Sequence, residues 1–546
     1  MGRTNEFPIT DFSGGLNLRA GEFYLSPNES PEMMNCFVDR RGGFRQRVGV
    51  SRWNEENIGD PDTWNPRNHH VTPLSDGTSE VFVVSAGDVW VGNGAGSFSD
   101  TGADGVAVPH EADFASWGDR TYMALGRGVS SVAWEDGSLF TLSDPTASSG
   151  SGFNEDETAP VGGQMPTAAL VCEHNGRMFV GNIMEDGIDK PNRIRWSHPL
   201  EPGDWRADDY WDIDLGGGRI TALVSHNDRL LIFKTDAVFA LYGYGLDNFE
   251  LQSISQSLST ISPASVTQSE TSVIFFSRSA SRSGVFALSP DSVDLLSAPI
   301  EVALDSVQNE DNVFVDFVDR YLQVSIEWDY EAGGGTNDAT LFVHNSEVGQ
   351  GGSWTAQKPA RGSFRGSMGV PNGFPLVVVT GIPGESFIAE VGGRDDSQDD
   401  LTGVPERFAS SYSTGWIDAG SPTTKKHWLR PKYLLRKADS RIEIRVDVYW
   451  NYSGEDARRS FMLAVDPGGE LYWRALGSAA PDGTDWGAGD AWTAGESGMS
   501  LERSPSSLGL AESIRLRFSS TENDTILERW LVDAIFLKYA ARRLTT

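Results

Sequence analysis

Two cysteines among 546 residues cannot build a disulfide framework, so Cys36 and Cys172 leave the fold to packing. Long apolar runs are missing too. Leu376 to Val379 is among the longest, far short of the roughly 20 residues that cross a bilayer as a helix. The first residues, Met1 to Pro8, lack the apolar core of a signal peptide. That predicts synthesis in a cytoplasm, with any export by another route. Positive charge is scarce: 44 Lys and Arg, of which 8 are Lys, face 77 Asp and Glu, for a net charge of −33. A surface this acidic repels phosphates, which excludes broad electrostatic binding to nucleic acid.

The usual marks of catalysis are absent as well. No G-x-S-x-G elbow and no phosphate-binding G-x-x-x-x-G-K-[ST] loop occurs. The eight histidines (His69, His70, His110, His174, His198, His226, His344 and His427) show no H-E-x-x-H spacing, and the His69-His70 pair has no nearby Cys or carboxylate pattern typical of zinc. Lone cysteines are more often packing residues than nucleophiles. Trp211-Asp212-Ile213-Asp214 carries carboxylates but lacks the rest of a calcium loop. Trp134-Glu135-Asp136-Gly137-Ser138 and Asp482-Gly483-Thr484-Asp485-Trp486 are faint echoes of the Asp-box turns found in propeller hydrolases. Trp196, Trp205 and Trp211 suit a β core better than a sugar platform. The expectation is no enzyme, no cofactor and no metal.

What is present is strand signal. Short Val, Ile, Phe, Tyr and Leu runs are bounded by Gly, Asn, Asp and Ser, with almost no helical periodicity. A turn-then-strand unit recurs at Arg120, Arg177, Arg229 and Arg320, spaced 57, 52 and 91 residues apart. Its fullest copies are His174-Asn175-Gly176-Arg177-Met178-Phe179-Val180 and His226-Asn227-Asp228-Arg229-Leu230-Leu231-Ile232. Asn-Gly and Asn-Asp supply left-handed turn conformations. Weaker copies near Glu80, Val273 and Leu376 bring the total to about seven, at steps of roughly 50 residues. That period predicts an all-β chain built on a β-propeller of about five to eight blades. Two or more β-sandwiches would also repeat turns and strands.

The charge is stepped along the chain. Residues 1–50 and 405–546 are each neutral, and residues 51–404 hold 19 basic and 52 acidic side chains. With the polar run 392–400, this predicts an N-terminal arm and hairpin (1–50), an acidic propeller (51–404) and a C-terminal domain (405–546). In the last, Ile442, Ile444, Val446 and Val448 alternate, as do Ile514, Leu516 and Phe518. A β-sandwich with a final strand over Trp530 to Tyr539 follows; 476–500 reads as a loop. Acidity also suits solubility or a high-salt cytoplasm, although salt adaptation should touch every surface, including the neutral ends.

The first fifty residues are the most specific part. Gly14-Gly15-Leu16-Asn17 is followed by the polar turn Ser26-Pro27-Asn28-Glu29, then Asn35 in a strand, then Gly43-Phe44-Arg45-Gln46-Arg47. This block resembles the opening of tail nozzle proteins of short-tailed bacteriophages, the tail tubular protein B family and its stabilisation-protein relatives. Val48 stands where such proteins often have Pro. Ile194-Arg195-Trp196-Ser197, Pro202-Gly203-Asp204-Trp205 and Gly415-Trp416-Ile417-Asp418 add to the likeness. The resemblance implies a structural virion protein located in the tail. It implies a homo-oligomeric ring, usually of six copies, that contacts a tail adaptor or other tail proteins. Genomic DNA would pass through its lumen without specific binding during ejection. Gly14, Gly15, Asn17, Asn35, Gly43, Arg45 and Arg47 are then structural motif residues. Two other readings stay open: a receptor-binding propeller at the virion surface, and a polysaccharide-degrading propeller hydrolase.

Overall fold

The computed structural model describes residues 4–541 except 95, 107–111, 143–164, 186, 217, 246–247, 280–281, 308–309, 319, 329–338, 350, 371–374, 395–397, 437–441, 455, 466–498, 504–506 and 521–528. The chain forms two compact units, one of 1–50, 344–360 and 394–546, the other of 51–343 and 361–393. The loop expected at 476–500 and the turn at Asp482 fall largely outside the described residues.

The second unit is the propeller. Its antiparallel sheets follow one another along the chain, each starting with an inner strand. The inner strands are Pro66–Pro73, Asp113–Trp117, Thr167–His174, Ile220–His226, Val266–Gln268, Phe314–Val318 and Ser363–Met368. Six of these sheets are four-stranded blades, and three strands of the sheet that starts at Phe314 also belong to this unit. The blade starting at Ser363 takes its outer strand from Gly49–Arg52. The opening of the propeller segment therefore completes its last sheet, so that strands from both ends of the segment close the ring.

Hydrogen bonds between inner strands identify the axis. Asn68 Nδ2 donates to Ala112 O, just before the second inner strand, and Val171 N donates to Asp113 Oδ2 at 3.1 Å. Phe317 N donates to Thr267 Oγ1, and Ser367 N donates to Asp316 Oδ2 at 2.9 Å. Apolar side chains fill the wedges between blades. Ala222, Leu231 and Phe233 pack on Val273 and Phe275, while Val81 and Val83 pack on Met368, Leu376 and Val378.

All seven repeat units expected from the sequence are second strands of their sheets, from Ser79–Ser85 through Arg177–Glu185 to Leu376–Thr380. The reason is local. A second strand is paired on both edges, so its middle is a buried, largely apolar run. The tight turn before it needs positive φ, supplied by Asn175 (50°), Gly176 (71°) and Asn227 (56°).

The first unit is a β-sandwich. In one sheet the long strand Leu531–Ala541 pairs with Thr4–Ile9, Phe44–Gln46, Lys426–Trp428 and Lys432–Arg436. In the other, Ile442–Trp450 lies between Arg459–Val465 and Ile514–Ser520, and Ser411–Ser413 joins Ile514–Ser520 to Glu32–Met34. Ile442, Ile444, Val446 and Val448 are buried. Rings from the two sheets meet between them: Phe44 stacks on Tyr412 at 3.9 Å, and Tyr433 meets Phe518 edge-on at 5.8 Å.

Two boundaries differ from the sequence reading. Residues 1–50 are no separate arm: Thr4–Ile9, Cys36–Val38 and Phe44–Gln46 belong to one sandwich sheet and Glu32–Met34 to the other. The propeller also yields 344–360 and 394–404 to the sandwich. Sheet partnership between strands hundreds of residues apart decides this, and a charge profile along the chain does not register it.

Candidate functional site

Two motif residues of the N-terminal block, Asn35 and Arg47, meet at a buried ion pair. Arg47 and Asp399 have side chains 2% and 0% exposed, and the guanidinium meets the carboxylate through two parallel bonds of 2.8 and 2.6 Å. Arg47 Nε donates to Asn35 Oδ1, Nη1 also to Val48 O, and Nη2 also to Lys358 O. All five N–H groups thus find acceptors, and Phe408 covers the guanidinium face at 3.6 Å. Asp399 also accepts from Val50 N and Ala360 N. One pair therefore ties together the three separate stretches that make up the sandwich unit.

Asn35 belongs to the same knot. It sits at φ 53°, a left-handed conformation that Asn tolerates, and Nδ2 donates to Ala409 O at 2.6 Å. Asn17 caps the turn that follows it: Nδ2 donates to Glu29 Oε1, and Oδ1 accepts from Arg19 N and Ala20 N. Gly15 has φ 59°, and a Cβ there would lie 2.8 Å from Trp354 O. At Gly14 it would meet Asn28 O at 2.8 Å, and at Gly43 Val532 O at 2.9 Å. These glycines let strands approach more closely than a side chain permits. Arg45 sits in the strand Phe44–Gln46, opposite Leu531 and Phe37. The structure thus brings Asn35 and Arg47 together, and places Gly14, Gly15, Asn17, Gly43 and Arg45 in the surrounding turns and strands.

A second concentration of polar groups lies at the propeller axis. His69 Nε2 is 3.1 Å from Asp316 Oδ1. Burial alone would lower the His69 pKa, but the facing Asp316 carboxylate outweighs it and the net direction is up. Burial takes His70 down to about 4 and pushes Asp113 up to about 7, against the two amide bonds its carboxylate accepts. Arg365 donates to Glu327 at 2.5 Å. His174 Nδ1 is 2.9 Å from Ser225 Oγ on the next inner strand, and burial lowers this imidazole to about 4. The seven inner strands carry only three acids, Asp113, Glu173 and Asp316, against the bases Arg67 and Arg365. Whole units contrast more sharply: the propeller has 17 basic and 47 acidic residues, net −30, while the sandwich has 27 and 30, net −3. Little of the propeller's acidity therefore lies on its inner strands.

Both thiols are held protonated. Burial, then the Glu32 charge, raises Cys36, and burial, then the Asp113 charge, raises Cys172. Trp196 and Trp205 are each 1% exposed, in blade cores as the sequence suggested. One grouping escaped the sequence reading: His198, Glu201 and Asp204 bring ligand atoms within 4.8 Å of one another. The signal was present in the H-x-x-E-x-x-D spacing across a turn.

No family model and no curated protein matches this chain. Among solved structures, a streptogramin B lyase is 11% identical with a TM-score of 0.37, covering 63% of this chain and 97% of its own. An inactive variant of virginiamycin B lyase from Staphylococcus aureus, with quinupristin, is 10% identical with a TM-score of 0.36, covering 62% and 97%. The N-terminal domain of Nup159 is 11% identical with a TM-score of 0.33, covering 66% and 98%. At such identities these likenesses bring none of those proteins' activities to this chain. Among the described residues, no helix is long and apolar enough to cross a membrane.

Proposed function

We propose that this chain is a structural protein of a virion tail, built as one copy of a ring-shaped nozzle through which genomic DNA passes. The observation that carries the reading is the partition of charge, −30 on the propeller and −3 on the sandwich. Surfaces that must bind neighbouring copies and tail proteins gain from neutrality, because like charges across an interface are repelled. A surface that DNA slides past gains from negative charge, which keeps phosphates from sticking. The propeller's own axis is a poor conduit, since its inner strands are nearly neutral and cross-linked by hydrogen bonds. The lumen in this reading lies between copies, walled by the acidic outer strands and loops.

The protein acts in this reading as scaffold and conduit, without catalysis or cofactor. The protonated thiols and the structural roles of Asn35 and Arg47 support that. A receptor-binding role would draw on the loop that exposes Phe23 (61%) and Tyr24 (86%). Native mass spectrometry separates the readings: a closed ring, six copies by the resemblance, supports the nozzle. A monomer that cleaves polysaccharide or binds host glycan defeats it.

A further inference from the structure

The hairpin joining the third and fourth strands of the blade at Thr167–Asp212 is irregular in a specific way. His198 faces Glu201 across the turn, yet the next pair inward is Ser197 with Trp205. Residues 202–204 are thus extra chain on the returning strand, a bulge of the kind that re-aims a side chain. Leu200 turns the hairpin at φ 62°, and the buried Trp205 indole donates to Pro202 O at 3.1 Å, pinning the bulge to the blade core. The result is that Asp204 points back at His198 and Glu201, with ligand atoms of all three within 4.8 Å of one another.

Two atoms of this group lack what buried polar atoms normally have. The Asp204 side chain is 6% exposed, and its Oδ1 has no hydrogen-bond partner. His198 Nδ1 is buried and also unpartnered. Arg206 does not answer the need: its Nε lies 3.8 Å from Asp204 Oδ2, beyond hydrogen-bond range, and is itself unpartnered. Burying an unpaired carboxylate oxygen costs free energy unless something compensates it. His198 Nδ1 and Glu201 Oε2 stand 3.9 Å apart, and their side chains are 35% and 51% exposed, so solvent reaches the spot.

We propose that His198, Glu201 and Asp204 hold a divalent transition-metal ion. One imidazole nitrogen and two carboxylates suit zinc, manganese or ferrous iron, with water in the remaining positions. Calcium is disfavoured, because it seeks six to eight oxygen ligands, including carbonyls. The ion would staple the hairpin tip and satisfy both orphaned atoms.

The test uses the full-length chain, stripped with chelator and titrated calorimetrically with Zn²⁺ and, separately, Ca²⁺. One Zn²⁺ per chain is expected to depend on this site. Glu201→Gln and Asp204→Asn should each weaken it at least tenfold, and Ca²⁺ should bind far more weakly. Because Glu201 is half-exposed, its variant should melt like the wild type without metal, which separates lost ligation from lost folding. Zn²⁺ affinity unchanged in Glu201→Gln, or no Zn²⁺ bound by the wild type, would overturn the site.

Discussion

Arg47 has no access to solvent and uses every donor it carries, so its replacement leaves Asp399 as a buried, unpaired charge. Arg47→Ala should destabilise the sandwich by about 3–5 kcal/mol, the usual result of breaking one side of a buried pair. Replacing both partners with apolar residues should cost less than the sum of the singles. Urea unfolding of the four corners of that cycle checks it; additive losses would mean the pair is not coupled. Asp113 supplies a pH dependence. Its folded-state pKa is raised from 3.8 to about 7, so the folded chain holds a proton that the unfolded chain releases. The stability this brings is complete below pH 4 and is lost as the pH rises to about 7. Asp113→Asn, which cannot titrate, should therefore gain stability relative to wild type between pH 5 and pH 8. Parallel thermal-melting profiles across that range would contradict the assignment.

Element by element, legibility followed sequence distance. Second strands such as Arg229–Lys234 could be read because they are continuous apolar runs behind an Asn-Gly or Asn-Asp turn, a signal held within a dozen residues. Ile442–Trp450 and Ile514–Ser520 could be read from alternation, since one face meets the sandwich core. The strand Leu531–Ala541 was expected, but its partners were not: Thr4–Ile9 lies at the other end of the chain, and nothing local predicts that pairing. The same holds for the knot. Arg45 and Arg47 looked alike as basic residues of one motif, yet Arg47 alone meets Asp399, 352 residues away. Gly15 tests the close approach directly. Gly15→Val adds a branched side chain at φ 59° against Trp354 O, and should lower the melting temperature by several degrees. The same change at Gly137, where a Cβ meets nothing within 4 Å, keeps the positive-φ penalty without the clash and should cost less.

At the scale of the whole molecule, charge is the property that sequence and structure describe together. The step seen along the chain near residue 400 coincides only roughly with a structural boundary. Once 344–360 and 394–404 are assigned to the sandwich, the contrast becomes −30 against −3. High-salt adaptation would acidify both units, and the sandwich is close to neutral. Electron cryomicroscopy of the assembled protein tests the conduit most directly. The account predicts a closed ring whose lumen is walled by acidic outer strands and loops of the propeller, with the sandwich making contacts between proteins. A ring with a neutral or basic lumen and its acids on the outer rim would contradict it, as would a particle that stays monomeric.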